Sequence, residues 1–306
     1  MNTLETNIQR YLSYCKEQKR LDDKTLKAYR IDLAQFSQLV KTQKIAQLNV
    51  DVLEKYIATL HQTFKPKTVK RKIASVKAFF HYMEYKDIII TNPFHKMQIR
   101  FREPVILPKA IPLGTLEQLL ITMYDALKNA PTPYQKKKRI IDVAIVELLF
   151  STGIRISELC KLKSTDVDLS NNYILIYGKG SKERKLQLAN DSVCSALSRY
   201  YHCYEKQILA TGYFFSSKSG DALSDQYVRK MINKYSSMAG IPMHITPHMF
   251  RHTFATSLLE MDVDIRYIQE MLGHSSINIT QIYTHVATAK QNDILRNKHP
   301  RKDFRI

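Results

Sequence analysis

Apolar residues along the first hundred positions recur with the period of an α-helix. Leu4, Ile8, Tyr11, Leu12 and Cys15 fall three to four residues apart. Leu26, Tyr29, Leu33, Phe36, Leu39 and Val40 repeat the pattern behind Asp22 and Asp23, which suit a helix start. A third helix is predicted over 50–60 and a fourth over 68–85, where Val69, Ile73, Val76, Phe79, Phe80 and Met83 share a face. No glycine precedes Gly114. These helices make a small helical domain, residues 1–103. Pro104, Pro108 and Pro112 exclude a continuous helix, so 104–112 reads as an extended linker.

The pattern restarts behind it. Helices are predicted over 115–127 and 140–150, separated by an exposed basic loop at 129–139. Tyr173–Tyr177 and 184–188 alternate apolar and polar residues around a glycine-bounded segment, as a β-hairpin does. Beyond Asn190 helices dominate. The expected fold is mainly α with a small antiparallel β-sheet, in two domains, the second covering 113–306 with a C-terminal tail.

Charge narrows the partner class. In 306 residues, 47 Lys and Arg face 28 Asp and Glu, a net of +19. Such an excess in a folded chain points to a polyanion. Residues 1–111 hold 21 of these cations against 10 carboxylates. Lys65, Lys67, Lys70, Arg71 and Lys72 cluster at the start of the fourth helix, where amide donors and cations both suit a phosphate backbone. These five are the candidate DNA-binding residues; a solvated charged face is the plainer alternative. Cys15, Cys160, Cys194 and Cys203 are scattered, as free thiols in a reducing compartment would be. The start of the chain lacks a basic segment followed by an apolar one, and the apolar stretch 140–150 is short and interrupted by Asp142 and Glu147. A cytoplasmic location with no membrane partner is expected.

Candidate chemistry lies in the second domain. Pro247 suits a first helical turn, which sets His248 and Arg251 on one face. Gly273 reads as a helix stop that presents His274 just beyond it. Arg155 follows a glycine break at Gly153, with Glu158 one turn later to orient its guanidinium. Taken singly, these are a surface pair, a helix cap and an i,i+3 salt bridge, and Tyr283 is one of 18 tyrosines. His244, His248 and His252 are spaced by four, but His244 precedes Pro247 and Met249 stands where the H-E-x-x-H zinc motif needs Glu. No metal is expected.

Together the segments TGIRISEL, GKGSKER, TPHMFRHTFAT, LGHSS and QIYTHV occur in the order characteristic of the tyrosine recombinase (phage integrase) family. The second domain closely resembles that family, most of all its Xer-like and simple mobile-element members. The N-terminal helices resemble its core-binding, SAM-like domain.

The resemblance implies a site-specific recombinase that cuts and rejoins DNA through a 3′-phosphotyrosyl intermediate, for integration, excision or dimer resolution, with no metal, ATP or other cofactor. It implies Tyr283 as nucleophile, Arg155 and Arg251 on the scissile phosphate, and His248 as base or phosphate partner. Lys179 would be the acid for the leaving 5′-oxygen, His274 a further donor and Glu158 the support of Arg155. Lys182 and Lys185 are alternatives to Lys179. It further implies a C-shaped clamp on double-stranded recombination sites and a synaptic tetramer. A tail over 286–306 would dock on a neighbouring protomer, and a paralogous recombinase is a potential partner. A type IB topoisomerase shares the catalytic logic, but the LGH segment and the N-terminal helices favour recombination. The absence of Gly over 260–264 and the basic loop at 129–139 depart from many Xer-type chains.

Overall fold

Thr3 starts the first helix by accepting a hydrogen bond from the Thr6 amide at 3.2 Å. Helix α1 spans Leu4–Glu17, and α2 (Asp23–Val40), α3 (Val50–Thr63) and α4 (Pro66–Tyr85) follow the predicted periods. Their apolar faces close over Phe36, Phe79 and Phe80, all fully buried. Phe36 and Phe80 meet edge to face with ring centres 6.0 Å apart. The computed structural model describes residues 3–40, 42, 44–99, 109–178 and 183–273. The chain divides into two compact units, 1–106 and 107–306, each with its own core.

The basic cluster on α4 is less uniform than its sequence suggests. Lys65, Lys67, Lys70 and Arg71 are exposed, but Lys72 is buried. Its ammonium lies 3.1 Å from Asp32 Oδ1, bonds Gln35 and sits 4.8 Å from the Phe64 ring centre. Asp32, fully buried on α2, also accepts from Arg71 and from Ser75 Oγ at 2.8 Å. Lys72 therefore neutralises a buried carboxylate between two helices and is withdrawn from the set of phosphate contacts. Charge is visible in the sequence; the partner forty residues away is not.

The second unit begins inside the stretch read as linker. Ile111 is buried, and its amide donates to Thr253 Oγ1 at 2.7 Å. The end of the expected linker is thus core. Helix α5 spans Leu113–Lys128 and α6 spans Pro133–Thr152. The exposed loop expected over 129–139 is wrong for most of its length. Thr132 caps α6 by accepting from the Gln135 amide, Pro133 occupies the first turn, where its missing N–H costs nothing, and the basic run forms helix. The run lacks apolar periodicity, which hides its helicity from a sequence reading.

From Ile140 to Leu149 every residue of α6 is buried, which makes it the central helix of this unit. Its two acids are satisfied by phenols: Asp142 accepts from Tyr227 at 2.6 Å and Tyr235 at 3.0 Å, and Glu147 from Tyr124 at 2.6 Å. Burial pushes both carboxyls above their usual range, against the pull of those hydrogen bonds.

After the short α7 (Ile156–Lys161) comes a three-stranded antiparallel sheet in the order β1-β2-β3. β1 (Val167–Asp168) is too short for a sequence signal; β2 (Tyr173–Tyr177) and β3 (Glu183–Gln187) form the expected hairpin, with Tyr177 opposite Glu183. Helices α8 (Asp191–Thr211), α9 (Asp225–Met238), α10 (Pro247–Glu260) and α11 (Ile265–Leu272) complete the unit. Between α10 and α11, Asp262 takes the left-handed conformation (φ 66°) that a glycine would adopt more freely. Among the described residues no helix is long and apolar enough to cross a membrane.

Candidate active site

Helix α6 ends because Gly153 adopts φ +59°, and the chain turns at once into α7 with Arg155 as its first flanking residue. Glu158, one turn on, accepts from the Arg155 amide at 2.8 Å and from Arg155 Nη1 at 2.8 Å. Its carboxylate thus caps the helix and holds the guanidinium, which stays about one-third exposed.

Pro247 opens α10 as expected, which seats His248 in the first turn and Arg251 on the next; His244 lies outside the helix. Arg251 is only 6% exposed. Its Nη1 donates to the Gly153 carbonyl at 2.9 Å and its Nη2 to the Leu272 carbonyl at 2.6 Å. These acceptors stand at the C-termini of α6 and α11, where peptide dipoles favour a cation. Arg251 is thereby fixed against Gly153, two residues before Arg155 in the chain.

His248 is exposed at the same end of α10. Partial loss of hydration lowers its pKa below the ordinary histidine value, and the charges of Arg229, Arg251 and Arg155 push the same way, against Asp225. At pH 7 the imidazole is neutral and free to accept a proton. His252, one turn on, is lowered too, by burial and then by His248 and Arg251.

An open cavity of about 1070 Å³ runs beside Arg155 and Glu158, bounded by β2, β3 and the end of α11. Lys179 belongs to the segment between Tyr177 and Glu183. Lys179, Lys182, His274, Tyr283 and the tail 286–306 lie outside the described residues. Lys185, the remaining hairpin alternative, holds its ammonium 3.7 Å from the Tyr173 ring centre, a cation–π contact on the strand pair. Among the described residues no three His, Cys, Asp or Glu side chains are grouped to hold a metal ion. The structure therefore brings Arg155, Glu158, His248 and Arg251 to one end of the second unit.

Sequence reading missed Arg184. On β3, its Nη1 and Nη2 bond Glu158 at 3.1 and 2.7 Å, and its Nε donates to the Met271 carbonyl at 2.8 Å. Burial pushes the Glu158 carboxyl up, but hydrogen bonds and charge from Arg184 and Arg155 outweigh it and hold the group below the usual carboxylate range. A lone Arg184 in an alternating strand carries no signal of a partner 26 residues away.

Comparison with known proteins supplies the lineage. The phage integrase family model matches residues 117–290, and the model of the phage integrase N-terminal SAM-like domain matches 8–86. A tyrosine recombinase from Agathobacter rectalis is 64% identical over 304 residues, covering 99% of each chain. Tyrosine recombinase XerC from Halalkalibacterium halodurans is 30% identical over 96% of this chain and 97% of its own. The crystal structure of the XerH site-specific recombinase bound to its difH substrate has the same fold, with a TM-score of 0.71, 22% identity and coverage of 92% of this chain and 83% of that one. With a family model spanning more than half its length and a near-full-length relative at this identity, the chain belongs to the phage integrase family and is a tyrosine recombinase.

Proposed function

We propose that this recombinase cuts and rejoins double-stranded DNA at specific sites by transesterification, with Tyr283 as the nucleophile. A phenol is mostly un-ionised at neutral pH and needs a proton acceptor to attack phosphorus. His248, kept neutral by its surroundings, is suited to that role or to a hydrogen bond with the phosphate. Arg155 and Arg251 carry the charge that develops on the non-bridging oxygens. Lys179 gives a proton to the departing 5′-oxygen and His274 adds a donor. Each cut leaves one strand end as a 3′-phosphotyrosyl ester and the other as a free 5′-hydroxyl. One phosphoester replaces another, so the exchange is nearly isoenergetic and draws on no nucleotide hydrolysis.

The observation that carries this reading is the seat of Arg251, a buried guanidinium locked by two helix-end carbonyls beside Arg155 and His248. A cation fixed before the substrate arrives spends nothing on reorganisation when charge develops. Tyr283→Phe is expected to abolish covalent attachment to a nicked duplex carrying the recombination site, with binding of that duplex unchanged. Adduct formed at the parental rate by this variant rejects the assignment.

Lys65, Lys67, Lys70 and Arg71 on the first unit meet the phosphate backbone and set position rather than sequence. Lys67→Ala should weaken DNA binding on all sequences and lower the salt slope by about 1. Lys72→Ala should instead destabilise the N-terminal unit by roughly 3 kcal/mol, since it strips a partner from buried Asp32. Salt titrations of binding and thermal unfolding separate the two. Four protomers act on paired sites, in keeping with the DNA-bound dimers and tetramer of fold neighbours such as lambda integrase. The segment 286–306 docks on a neighbouring protomer.

A further inference from the structure

We infer that Arg184 is a positioning residue for the proposed reaction: it balances the charge of Glu158 so that Arg155 keeps a net positive field for the phosphate. The inference rests on the reading of Arg155 as a phosphate ligand. Glu158 is nearly buried and bonds both arginines, through Oε1 to Arg155 and through both oxygens to Arg184. With Arg155 alone, a fully ionised Glu158 would pair with it one to one and leave a neutral couple facing the cavity. With Arg184 the trio carries one net positive charge. Arg184 is the deeper of the two cations, its side chain 9% exposed against 35% for Arg155. The uncompensated charge is therefore expressed at the exposed member, where a substrate can reach it.

The geometry also explains why the balancing cation is an arginine. A flat fork serves both carboxylate oxygens while Nε reaches the Met271 carbonyl. Gly273 leaves room for it: a Cβ at that position would stand 2.9 Å from Arg184 Nη1. Arg184, Glu158, Arg155 and Gly273 all line the one cavity beside α7.

The test compares adduct formation by the full-length chain on a nicked site duplex under single-turnover conditions, with site binding and thermal unfolding measured in parallel. Arg184→Ala should slow the adduct ~10–100-fold, with binding little changed. Adding Glu158→Gln should recover at least about tenfold of that loss, because the charge to be balanced is gone. Arg184→Lys, which keeps the charge and loses the fork, should stay within about tenfold of the parent and covers the case in which the alanine variant does not fold. A brace without an electrostatic role predicts the opposite pattern: no recovery in the double variant, and lysine as slow as alanine. Either result overturns the inference, as does a parental rate in Arg184→Ala. Failure of the unaltered chain to form any Tyr283-dependent adduct would instead reject the underlying reading.

Discussion

Arg251→Lys is expected to leave a folded protein that binds its site but attaches to DNA about 10²–10³-fold more slowly. Lysine keeps the charge and approximates the length, so a role for Arg251 as a point cation would make the change mild. The structure argues otherwise. Two nitrogens of the guanidinium hold two carbonyls from different helices, 2.9 and 2.6 Å away. A single ammonium reaching from the same backbone position serves one of them well. The other carbonyl is then buried without its donor, at a cost of about 1–3 kcal/mol. The larger effect is on chemistry, because a cation drawn toward one helix end is no longer fixed between Gly153 and Leu272. Unfolding midpoints report the first effect and single-turnover adduct formation the second. A lysine variant that forms adduct at the parental rate would remove Arg251 from the reaction.

Features written in neighbouring residues are legible without the structure, and features written across the chain are not. The four N-terminal helices declare themselves because their apolar faces repeat within each helix, and the stops at Gly153 and Gly273 follow from one residue type adopting φ +59° and +65°. His248 and Arg251 stand three residues apart on one helix, so their common face follows from spacing alone. The start of α6 escapes a periodicity reading because five consecutive residues from Gln135 to Arg139 are polar, and helix there rests on a cap at Thr132 and a proline at the first turn. Lys72 and Arg184 show the deeper limit. Both are cations in polar stretches, and each is defined by a carboxylate on another element, Asp32 or Glu158. Sequence gives the sign of such a group and withholds whether its charge faces solvent, substrate or core.

Among the described glycines of the second unit, Gly153 is where an added methyl meets the closest contacts, and Gly153→Ala is expected to be strongly damaging. Two independent costs meet there. The left-handed φ of +59° disfavours any side chain by about 1 kcal/mol. The added Cβ would also stand 2.7 Å from Phe254 Cδ1 and 2.9 Å from Leu272 Cδ2, contacts that force α10 and α11 to give way at roughly 1–3 kcal/mol. Those helices carry Arg251 and the carbonyl it bonds, and Gly153 supplies the other carbonyl, so relief of the clash displaces all three partners together. Expected outcomes are a loss of about 2–4 kcal/mol in stability and an adduct rate reduced at least ~10-fold. Gly212→Ala provides the internal control. Gly212 ends α8 with φ +69°, and an added methyl there would meet nothing within 4 Å, so it carries the backbone cost alone. Equal destabilisation of the two variants, with adduct formation intact in both, would mean that the Phe254–Leu272 contact yields freely and that the seat of Arg251 does not depend on it.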